Sequence, residues 1–424
     1  MENFLNKFFF RSSNLNYISH SLVNLTKQTP AKKIFEALNT YNDTSEVRYV
    51  GGCVRKIIKK EVVDDIDLAT NLKPNEVCEA LKKKDINFYE TGLEHGTITA
   101  IIDEHKYEIT SLRKDVTTDG RHAKIEFSRD WKEDAARRDF SINSIYSDKE
   151  GNLFDPYDGK KDIENGIINF IGNAEDRIKE DYLRILRYIR FFLNYSKQTH
   201  NPEVIKIIKR NIEGISKLSS ERLIDELKKL TKSNGFIKIF KDEISLELLE
   251  IIFPQLKNLK NLKKLNSYAF KNLSKIDFIF FISLMIVDGT DNVDYFIYKF
   301  NISKKDQKRL KDIDFFYKEN VSIKNFTEKN FNKIFYFKGR QAALDIINFK
   351  LFNSKVVDKK LLKLAEIYKD KITPTLPIGA NILMNKYKIP EGKLLGIKLK
   401  LIEETWVQNS FQISEKQIQK IIKS

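Results

Sequence analysis

The chain contains little cysteine, tryptophan and proline for its length: 424 residues include two Cys, two Trp and eight Pro. Two cysteines, Cys53 and Cys78, exclude a disulfide framework and a cysteine zinc site, and they favour a reducing compartment. We therefore predict a cytoplasmic protein, with the mitochondrial matrix as the alternative. The longest apolar run, residues 278–287, has half the length of about 20 residues that a membrane helix needs. No membrane partner is expected.

The first 30 residues are poor in acid, with Lys7, Arg11 and Lys27 against the single acid Glu2. They lack the small-residue cleavage pattern of a secretory signal. We treat residues 1–30 as an N-terminal extension, and a mitochondrial transit segment is the alternative interpretation.

Positive charge is unevenly distributed along the chain, whose formal net charge is +16. Residues 1–200 carry 32 Lys and Arg against 33 Asp and Glu, whereas residues 201–424 carry 43 against 26. A lysine-rich genome would bias both halves alike. We therefore predict that the second half offers a positive surface to a polyanion, rather than only a solvated helical face.

The periodicity of apolar residues also changes along the chain. Residues 95–102 and 106–112 alternate as strands do and are separated by a turn at 103–105. Beyond residue 175 the pattern is almost wholly helical, and residues 373–380, with two prolines and a glycine, predict a loop before a last helical segment. The sequence predicts an α+β fold: a small head with a mainly antiparallel sheet, followed by a long all-α remainder.

The stretch VVDDIDLAT, residues 62–70, places acids in an apolar run that resembles a strand. On one strand Asp65 and Asp67 would share a face, with stems about 6.6 Å apart and a repulsion of about 2.5 kcal/mol at an effective dielectric near 20. Solvated acids on a polar strand edge are the simple interpretation. A bound cation between the two carboxylates is the functional one.

The preceding stretch, RYVGGCVRKIIKK, predicts a strand, a double-glycine turn and a helix. Gly51 and Gly52 would let backbone N–H groups approach an anion at a helix N-terminus, which suits a triphosphate, and Arg55 follows on that helix. Asp65 and Asp67 would then hold Mg²⁺ against the phosphates, and we expect two such ions. The chemistry that this arrangement predicts is nucleotidyl transfer.

The order GGCVR…DIDLAT resembles the DNA polymerase β nucleotidyltransferase superfamily, in its branch of class II tRNA nucleotidyltransferases and bacterial poly(A) polymerases. The sequence TTDGRHA resembles the corresponding segment of the alphaproteobacterial and mitochondrial members. In that family residues 112–127 correspond to a flexible loop. Lys56 stands where the family often has Asp. Glu108, on the strand predicted to lie beside the two aspartates, is a candidate third carboxylate or an exposed acid paired with Lys106.

WKEDAARRDFSINSIY, residues 131–146, is predicted as a helix, with RRD near its middle. The motif resembles the family's RRDF, which implies that Arg138 and Asp139 hold the ribose and phosphates of the nucleotide, since Asp139 can accept from a 2′-hydroxyl. A surface ion pair is the alternative. Residues 153–163 resemble the family's hinge between head and neck, and SSERLIDEL, residues 219–227, resembles a motif in which Glu221 and Arg222 brace the neck.

RIKEDYLRILRYIRF, residues 177–191, predicts one helix with Asp181 and Arg184 on a shared face. An intrahelical ion pair is the default interpretation. The resemblance to the family's EDxxR motif implies instead that the pair reads a base edge. An ionised Asp only accepts and an Arg only donates, so together they match the amino group and ring nitrogen of C or A and mismatch U or G. Arg137 and Arg187 are predicted as further nucleotide contacts.

These motifs together imply an enzyme that adds or repairs the 3′-terminal CCA of tRNA from CTP and ATP. A poly(A) polymerase or an enzyme that adds only CC or A is the near alternative, and a noncatalytic RNA-binding protein or a nuclease is the distant one. The partner predicted is tRNA lacking all or part of CCA, and the oligomeric state stays open. We predict a nucleotidyltransferase head at 31–150, a helical neck at 151–230 and an α-helical, tRNA-binding body and tail at 231–424.

Overall fold

The computed structural model describes residues 14–118, 123–319 and 323–423. It divides into two compact units, Met1–Ser245 and Leu246–Ser424. The first unit contains the sheet of the molecule and the second is helical, so the predicted α+β class is confirmed. In the described part of the chain no helix is long and apolar enough to cross a membrane. The cellular location stays a prediction.

A seven-stranded sheet forms the centre of the first unit, in the order β3-β4-β5-β2-β1-β8-β9. All neighbouring strands are antiparallel except β2 and β5, which run parallel. The strands β6 and β7 form a separate two-stranded ribbon. Within the described residues the strands are β1 Val47–Val50, β2 Asp67–Thr70, β3 Asn87–Gly92, β4 Thr97–Ile102, β5 His105–Ser111, β6 Arg113–Thr118, β7 Ala123–Phe127, β8 Tyr146–Ser147 and β9 Leu153–Phe154.

Helices surround this sheet and continue into the predicted neck. Helix α1 is packed through buried Leu22 and Leu25, and Thr26 shares a hydrogen bond of 2.9 Å with the hydroxyl of Tyr49. The described helices up to the unit boundary are α1 Asn14–Gln28, α2 Ala31–Asn39, α3 Gly52–Ile58, α4 Pro74–Lys82, α5 Trp131–Ala136, α6 Gly159–Asn165, α7 Ala174–Glu180, α8 Leu183–Tyr195, α9 Pro202–Asn211, α10 Ser220–Lys232 and α11 Glu243–Ile252, which contains the boundary.

The second unit packs its helices around aromatic and aliphatic clusters. Phe331, Phe335 and Tyr368 lie at the centre of one cluster, and Leu383 and Ile402 belong to another. The predicted loop at 373–380 precedes the last three helices, as expected. The helices are α12 Ser267–Asn272, α13 Phe278–Ile286, α14 Asn292–Lys299, α15 Lys304–Lys318, α16 Glu328–Lys338, α17 Arg340–Asn353, α18 Lys359–Asp370, α19 Ala380–Tyr387, α20 Lys393–Gln408 and α21 Glu415–Lys423.

Three predicted elements differ from the structure. The region 112–127, expected as a loop, contains β6 and β7, whereas its tip at 119–122 lies outside the described residues. The helix expected over 131–146 ends at Ala136, and the helix expected over 177–191 is interrupted between Glu180 and Leu183. Both interruptions occur at predicted site residues, and the contacts described below explain them.

Candidate active site

The glycine turn lies where β1 ends and α3 begins. Gly51 has φ +68, a left-handed conformation that glycine adopts without strain. A Cβ built on Gly51 would lie 3.7 Å from Nη1 of Arg138, and one built on Gly52 would lie 3.8 Å from Oδ2 of Asp67. The two glycines therefore bring the backbone close to a guanidinium and a carboxylate at once. This is the predicted strand, turn and helix.

The aspartate pair differs in part from its predicted geometry. Strand β2 begins only at Asp67, so the expectation that Asp65 and Asp67 share one strand face is wrong. The physical reason is that β1 ends at Val50, directly before the glycine turn, which leaves residues 61–66 without a strand to bond on that side. Asp65 is exposed and lies in the irregular segment before β2.

The two carboxylates nevertheless influence each other. Burial, followed by the negative charges of Asp65 and Glu108, raises the pKa of Asp67 to about 6. Glu108 is the register partner of Asp67 across β2 and β5, as predicted. It is exposed and does not line the cavity that holds the other predicted residues, so its role as a third carboxylate stays a prediction.

This donor set fits a divalent cation with oxygen ligands. Among the described residues no group of three or more His, Cys, Asp or Glu side chains forms a complete metal cage. Mg²⁺ is commonly bound by one or two carboxylates, with water and substrate phosphates supplying the other ligands. Asp65 and Asp67 are the residues that would hold it, because their mutual repulsion is relieved by a cation.

Asp139 is a buried carboxylate that lies beyond the end of α5. Its Oδ2 accepts from Nε of Arg187 at 2.6 Å, and its Oδ1 accepts from Nδ2 of Asn143 at 2.8 Å and from the backbone N–H of Phe140 at 2.9 Å. Burial opposes ionisation, but Arg187 and these hydrogen bonds lower the pKa of Asp139 to about 2. The chain leaves the helix because Asp139 turns inward to these partners.

The two arginines of the RRD motif are held by another buried acid. Arg137 and Arg138 donate to the carboxylate of Asp134, with N–O distances of 2.7 Å and 3.0 Å. Burial disfavours the ionised form of Asp134, but the two guanidiniums keep the pKa of Asp134 well below its usual range. Arg177 donates to the carbonyl oxygens of Arg137 and Arg138, so the backbone of the motif is fixed from α7.

Asp181 and Arg184 do not form the ion pair that the default interpretation expected. Oδ2 of Asp181 accepts from Arg222 on α10 at 2.7 Å, and its Oδ1 accepts from the backbone N–H of Leu183 at 3.2 Å. Arg184 instead donates to Glu180 at 2.7 Å. Asp181 has an extended backbone, with φ −153 and ψ 103, because it ends α7 and its carboxylate accepts from Leu183, the first residue of α8.

Asn143 and Phe191 are site residues that sequence reasoning missed. Asn143 accepts from Nη1 of Arg55 and donates to Asp139, so one amide links the predicted triphosphate and ribose residues. The guanidinium carbons of Arg55 and Arg190 lie 4.9 Å and 4.2 Å from the ring centre of Phe191. The position of Asn143 four residues after Asp139 was the available signal for its role, whereas nothing in the sequence distinguished Phe191 from a core residue.

Eleven of the twelve predicted site residues line one cavity of about 1190 Å³ in the first unit; Glu108 is the exception. Eight arginines and four lysines line it against six carboxylates, so its walls carry excess positive charge. The eleven residues are Gly51, Gly52, Arg55, Asp65, Asp67, Arg137, Arg138, Asp139, Asp181, Arg184 and Arg187. A cavity with this charge suits a phosphorylated ligand with a metal ion.

Comparison with known families finds two matches along the chain. Residues 47–169 match the family described as "Poly A polymerase head domain". Residues 200–260 match "Probable RNA and SrmB- binding site of polymerase A". The first match contains the glycine turn, the aspartate pair and the RRD motif, and the second contains Arg222 on α10.

Individual relatives cover different shares of the chain. The human "CCA tRNA nucleotidyltransferase 1, mitochondrial" is 44% identical over 195 residues, which is 45% of this chain and 45% of that protein, so the match spans about half of the relative. The solved structure of the Bacillus stearothermophilus CCA-adding enzyme in complex with CTP shares the fold, with a TM-score of 0.70 and 21% identity over 93% of this chain and 96% of that one.

A bacterial relative extends the likeness over almost the whole chain. The CCA-adding enzyme of Staphylococcus haemolyticus is 30% identical over 379 residues, which cover 87% of this chain and 88% of that protein. Similarity at that length includes both units as well as the residues around the cavity. By sequence and by fold, the chain belongs to the family of CCA-adding enzymes.

Proposed function

We propose that the protein is a template-independent RNA nucleotidyltransferase that adds or repairs the 3′-terminal CCA of tRNA, using CTP and ATP and releasing pyrophosphate. The observation that carries this proposal is the single cavity that brings the glycine turn, Asp67, Asp139 and the pair Asp181 and Arg184 together. These residues are far apart in the sequence. A nucleotide needs its triphosphate, ribose and base to be bound at the same time.

The head residues would bind the triphosphate and the metal. Gly51 and Gly52 allow close approach of the backbone, and Arg55 has a buried Nε without a hydrogen-bond partner in the described structure, which a phosphate oxygen would satisfy. Asp65 and Asp67 would bind two Mg²⁺ ions. When bound, these ions would supply positive charge to the phosphates and to the attacking hydroxyl. The tRNA 3′-hydroxyl would attack the α-phosphate as the bond to pyrophosphate breaks.

The ribose and the base would be read from the neck side of the cavity. Asp139 remains ionised through Arg187 and is proposed, with Arg138, to hold the ribose, while Arg137 and Arg187 extend the positive wall. Arg222 supports Asp181 and Glu180 supports Arg184. Both members of the base-reading pair are thus held in place by other side chains, so a bound base would meet a fixed acceptor and a fixed donor.

The choice of CTP and ATP over UTP and GTP would follow from hydrogen-bond polarity. Asp181 would accept from the amino group of C or A, and Arg184 would donate to the neighbouring ring nitrogen. With U or G, the acceptor Asp181 would face a carbonyl oxygen and the donor Arg184 would face an N–H group. These buried groups would be left unpaired at a cost of about 1 to 3 kcal/mol each.

The proposed RNA partner is tRNA that lacks all or part of its CCA end. The excess of positive charge beyond residue 200 supports a polyanionic partner, since 43 Lys and Arg stand against 26 acids there. Poly(A) addition is the second candidate, and the description of the family that matches residues 47–169 favours it. We retain the cytoplasm as the proposed location, with the mitochondrial matrix as the alternative.

A nucleotide-addition assay tests the proposal. Purified protein and Mg²⁺ would be incubated with tRNA that ends before CCA, with each labelled nucleotide alone and with CTP and ATP together, and the products sequenced. The expected product carries CCA and then stops. Continued A addition would identify a poly(A) polymerase, and the absence of any addition to tRNA would overturn the proposal.

A further inference from the structure

One end of the active-site cavity is lined by lysines that no predicted motif contains. Lys229 and Lys232 lie in the last turns of α10, and Lys238 lies just beyond it. All three are exposed, and none takes part in an ion pair within 4.0 Å among the described residues. We refer to Lys229, Lys232 and Lys238 as the lysine end of the cavity.

The arginines on the neck side of the cavity differ from these lysines in having acid partners. Arg184 pairs with Glu180, Arg187 with Asp139, and Arg222 with Asp181. Their charges are largely balanced within the protein, whereas the charges of the lysine end are not. The excess positive charge of the neck side is therefore concentrated where the lysines lie.

The lysine end is placed by the path of two neighbouring helices. α8 and α10 run in the same direction, because Asp181 meets Arg222 near their starts and Arg190 meets Glu226 further along. Lys229 and Lys232 follow Arg222 by seven and ten residues, which corresponds to about 10 and 15 Å along the helix. The lysine end is thus separated from the base-reading pair.

The lysine end also lies near the carboxylates of the head. Asn194, near the end of α8, accepts from the backbone N–H of Gly235, in the segment between Lys232 and Lys238. The next residue of α8, Tyr195, donates from its hydroxyl to Glu61 at 3.5 Å, and Glu61 is four residues ahead of Asp65. The lysines, Glu61 and the aspartate pair line the same cavity, so a strand held by the lysines would enter the cavity that contains the aspartates.

Nucleotidyl transfer requires two polyanions in one cavity, the nucleotide triphosphate and the 3′ end of the RNA. The glycine turn, Arg55 and the metal account for the triphosphate. We infer that the lysine end binds backbone phosphates of the RNA just before its 3′-hydroxyl. This inference rests on the proposed function and adds to it a binding site for the acceptor strand. Lysine suits that task because it binds phosphate as a point charge without reading a base.

The test compares two triple variants of the full-length protein with the same change of charge. The first replaces Lys229, Lys232 and Lys238 with Ala. The control replaces Lys33, Lys82 and Lys84, which are also exposed, lie outside the cavity lining and lie outside the residues 200–260 that match the RNA-binding family. Fluorescence anisotropy would give the Kd for tRNA ending before CCA over a range of salt concentrations, and initial rates would give KM for CTP. Circular dichroism would show that both variants keep their helices.

We expect the first variant to bind tRNA about 10- to 30-fold more weakly and to lose about 2 from the slope of log K against log salt. Its KM for CTP should stay within about 3-fold of the unchanged protein, and the control should change the Kd by less than about 3-fold. Equal losses in the two variants would overturn the inference. So would unchanged tRNA binding with a raised KM for CTP, which would assign the lysines to the nucleotide. Because RNA binding is measured without catalysis, a failure of the proposed function would appear separately, as absent addition by the unchanged protein.

Discussion

The cavity has a head end, which contains the glycine turn, Asp65 and Asp67, and a neck end, which contains Asp139, Asp181 and Arg184. The carboxylates at these two ends differ in whether the protein itself compensates their negative charge. In the head, Asp67 lies beside Asp65 and Glu108, and burial with this repulsion raises its pKa to about 6. At the end of the cavity that faces the neck helices, Asp139 is kept ionised by Arg187 of α8, and Asp181 is paired with Arg222 of α10. The pKa of Asp67 is raised although Arg138 and Arg55 act to lower it, so a metal ion would be stabilised at the head end, whereas the carboxylates of the neck end already have arginine partners. The comparison predicts that substitutions in the head abolish chemistry and that substitutions in the neck change selection.

The largest effect is expected at the head end. Replacing Asp67 with Ala should lower the rate of addition by at least about 10³-fold, because the metal carries charge of the transition state. The tRNA affinity should remain nearly unchanged. Single-turnover assays and anisotropy would measure the two quantities. Asp64, an exposed neighbour that pairs with Lys56, provides the matched control, Asp64→Ala. Near-normal turnover of Asp67→Ala would remove this site from consideration.

The neck end should instead change which nucleotide is used. In the double variant Asp181→Ala with Arg184→Ala, incorporation of UTP and GTP relative to CTP and ATP should rise about 10- to 100-fold, because mismatched contacts are removed. The absolute rate should fall for all four nucleotides, since positioning also suffers. kcat/KM for each nucleotide would measure this. An unchanged four-way preference in a folded double variant would refute base reading by this pair.

A stability cycle provides the control for that experiment. Because Asp181 bonds to Arg222 and Arg184 to Glu180, the two side chains are not partners in the protein without nucleotide. Urea unfolding of the single and double variants should therefore give a coupling energy near zero, within about 0.5 kcal/mol. A coupling clearly above that value would return the pair to the intrahelical interpretation.

Asn143 links the two ends, and its variants should weaken nucleotide binding more than chemistry. In Asn143→Asp the side chain still accepts from Arg55 but places a negative charge against Asp139, so KM for CTP and ATP should rise about 10-fold. Asn143→Leu loses both contacts and should raise KM further. Steady-state kinetics would separate KM from kcat. Equal KM values for Asn143→Asp and the unchanged protein would mean that Asn143 does not position the site.

The sequence predicted the elements whose signals are local. The strand, glycine turn and helix at 47–58 and the hairpin at 97–111 have the expected form, because glycine conformation and alternating apolar residues act over a few positions. The motif residues could be named from the resemblance, and eleven of them line one cavity. The helical pattern around Asp139 and Asp181 was misleading, since tertiary partners determine where those helices end.

The missed contacts share one cause. Arg222 reaches Asp181 from another helix, and Asn143 reaches Arg55 from 88 positions away. Local periodicity contains no information about such pairs, and each one replaces a helical hydrogen bond or an intrahelical pair that the pattern had suggested. The extended backbone of Asp181 is the partial exception, because an aspartate directly before an apolar run is a common helix cap.

The smallest expected effect concerns the pH dependence of stability at the neck end. The pKa of Asp139 is lowered to about 2 in the folded protein, below an unfolded value near 3.9. Its ionised form therefore stabilises the fold above about pH 4, and this contribution of about 2 kcal/mol is lost as pH falls through about 2.

Replacing Asp139 with Asn removes this contribution. The difference in the free energy of unfolding between the unchanged protein and Asp139→Asn, measured by urea at several pH values, should shrink by about 2 kcal/mol between pH 5 and pH 2. The control, Asp103→Asn, changes an exposed turn aspartate and should show no such trend. A difference for Asp139→Asn that stays constant with pH would mean that Arg187 does not hold the charge of Asp139, and the contrast between the two ends of the cavity would then be lost.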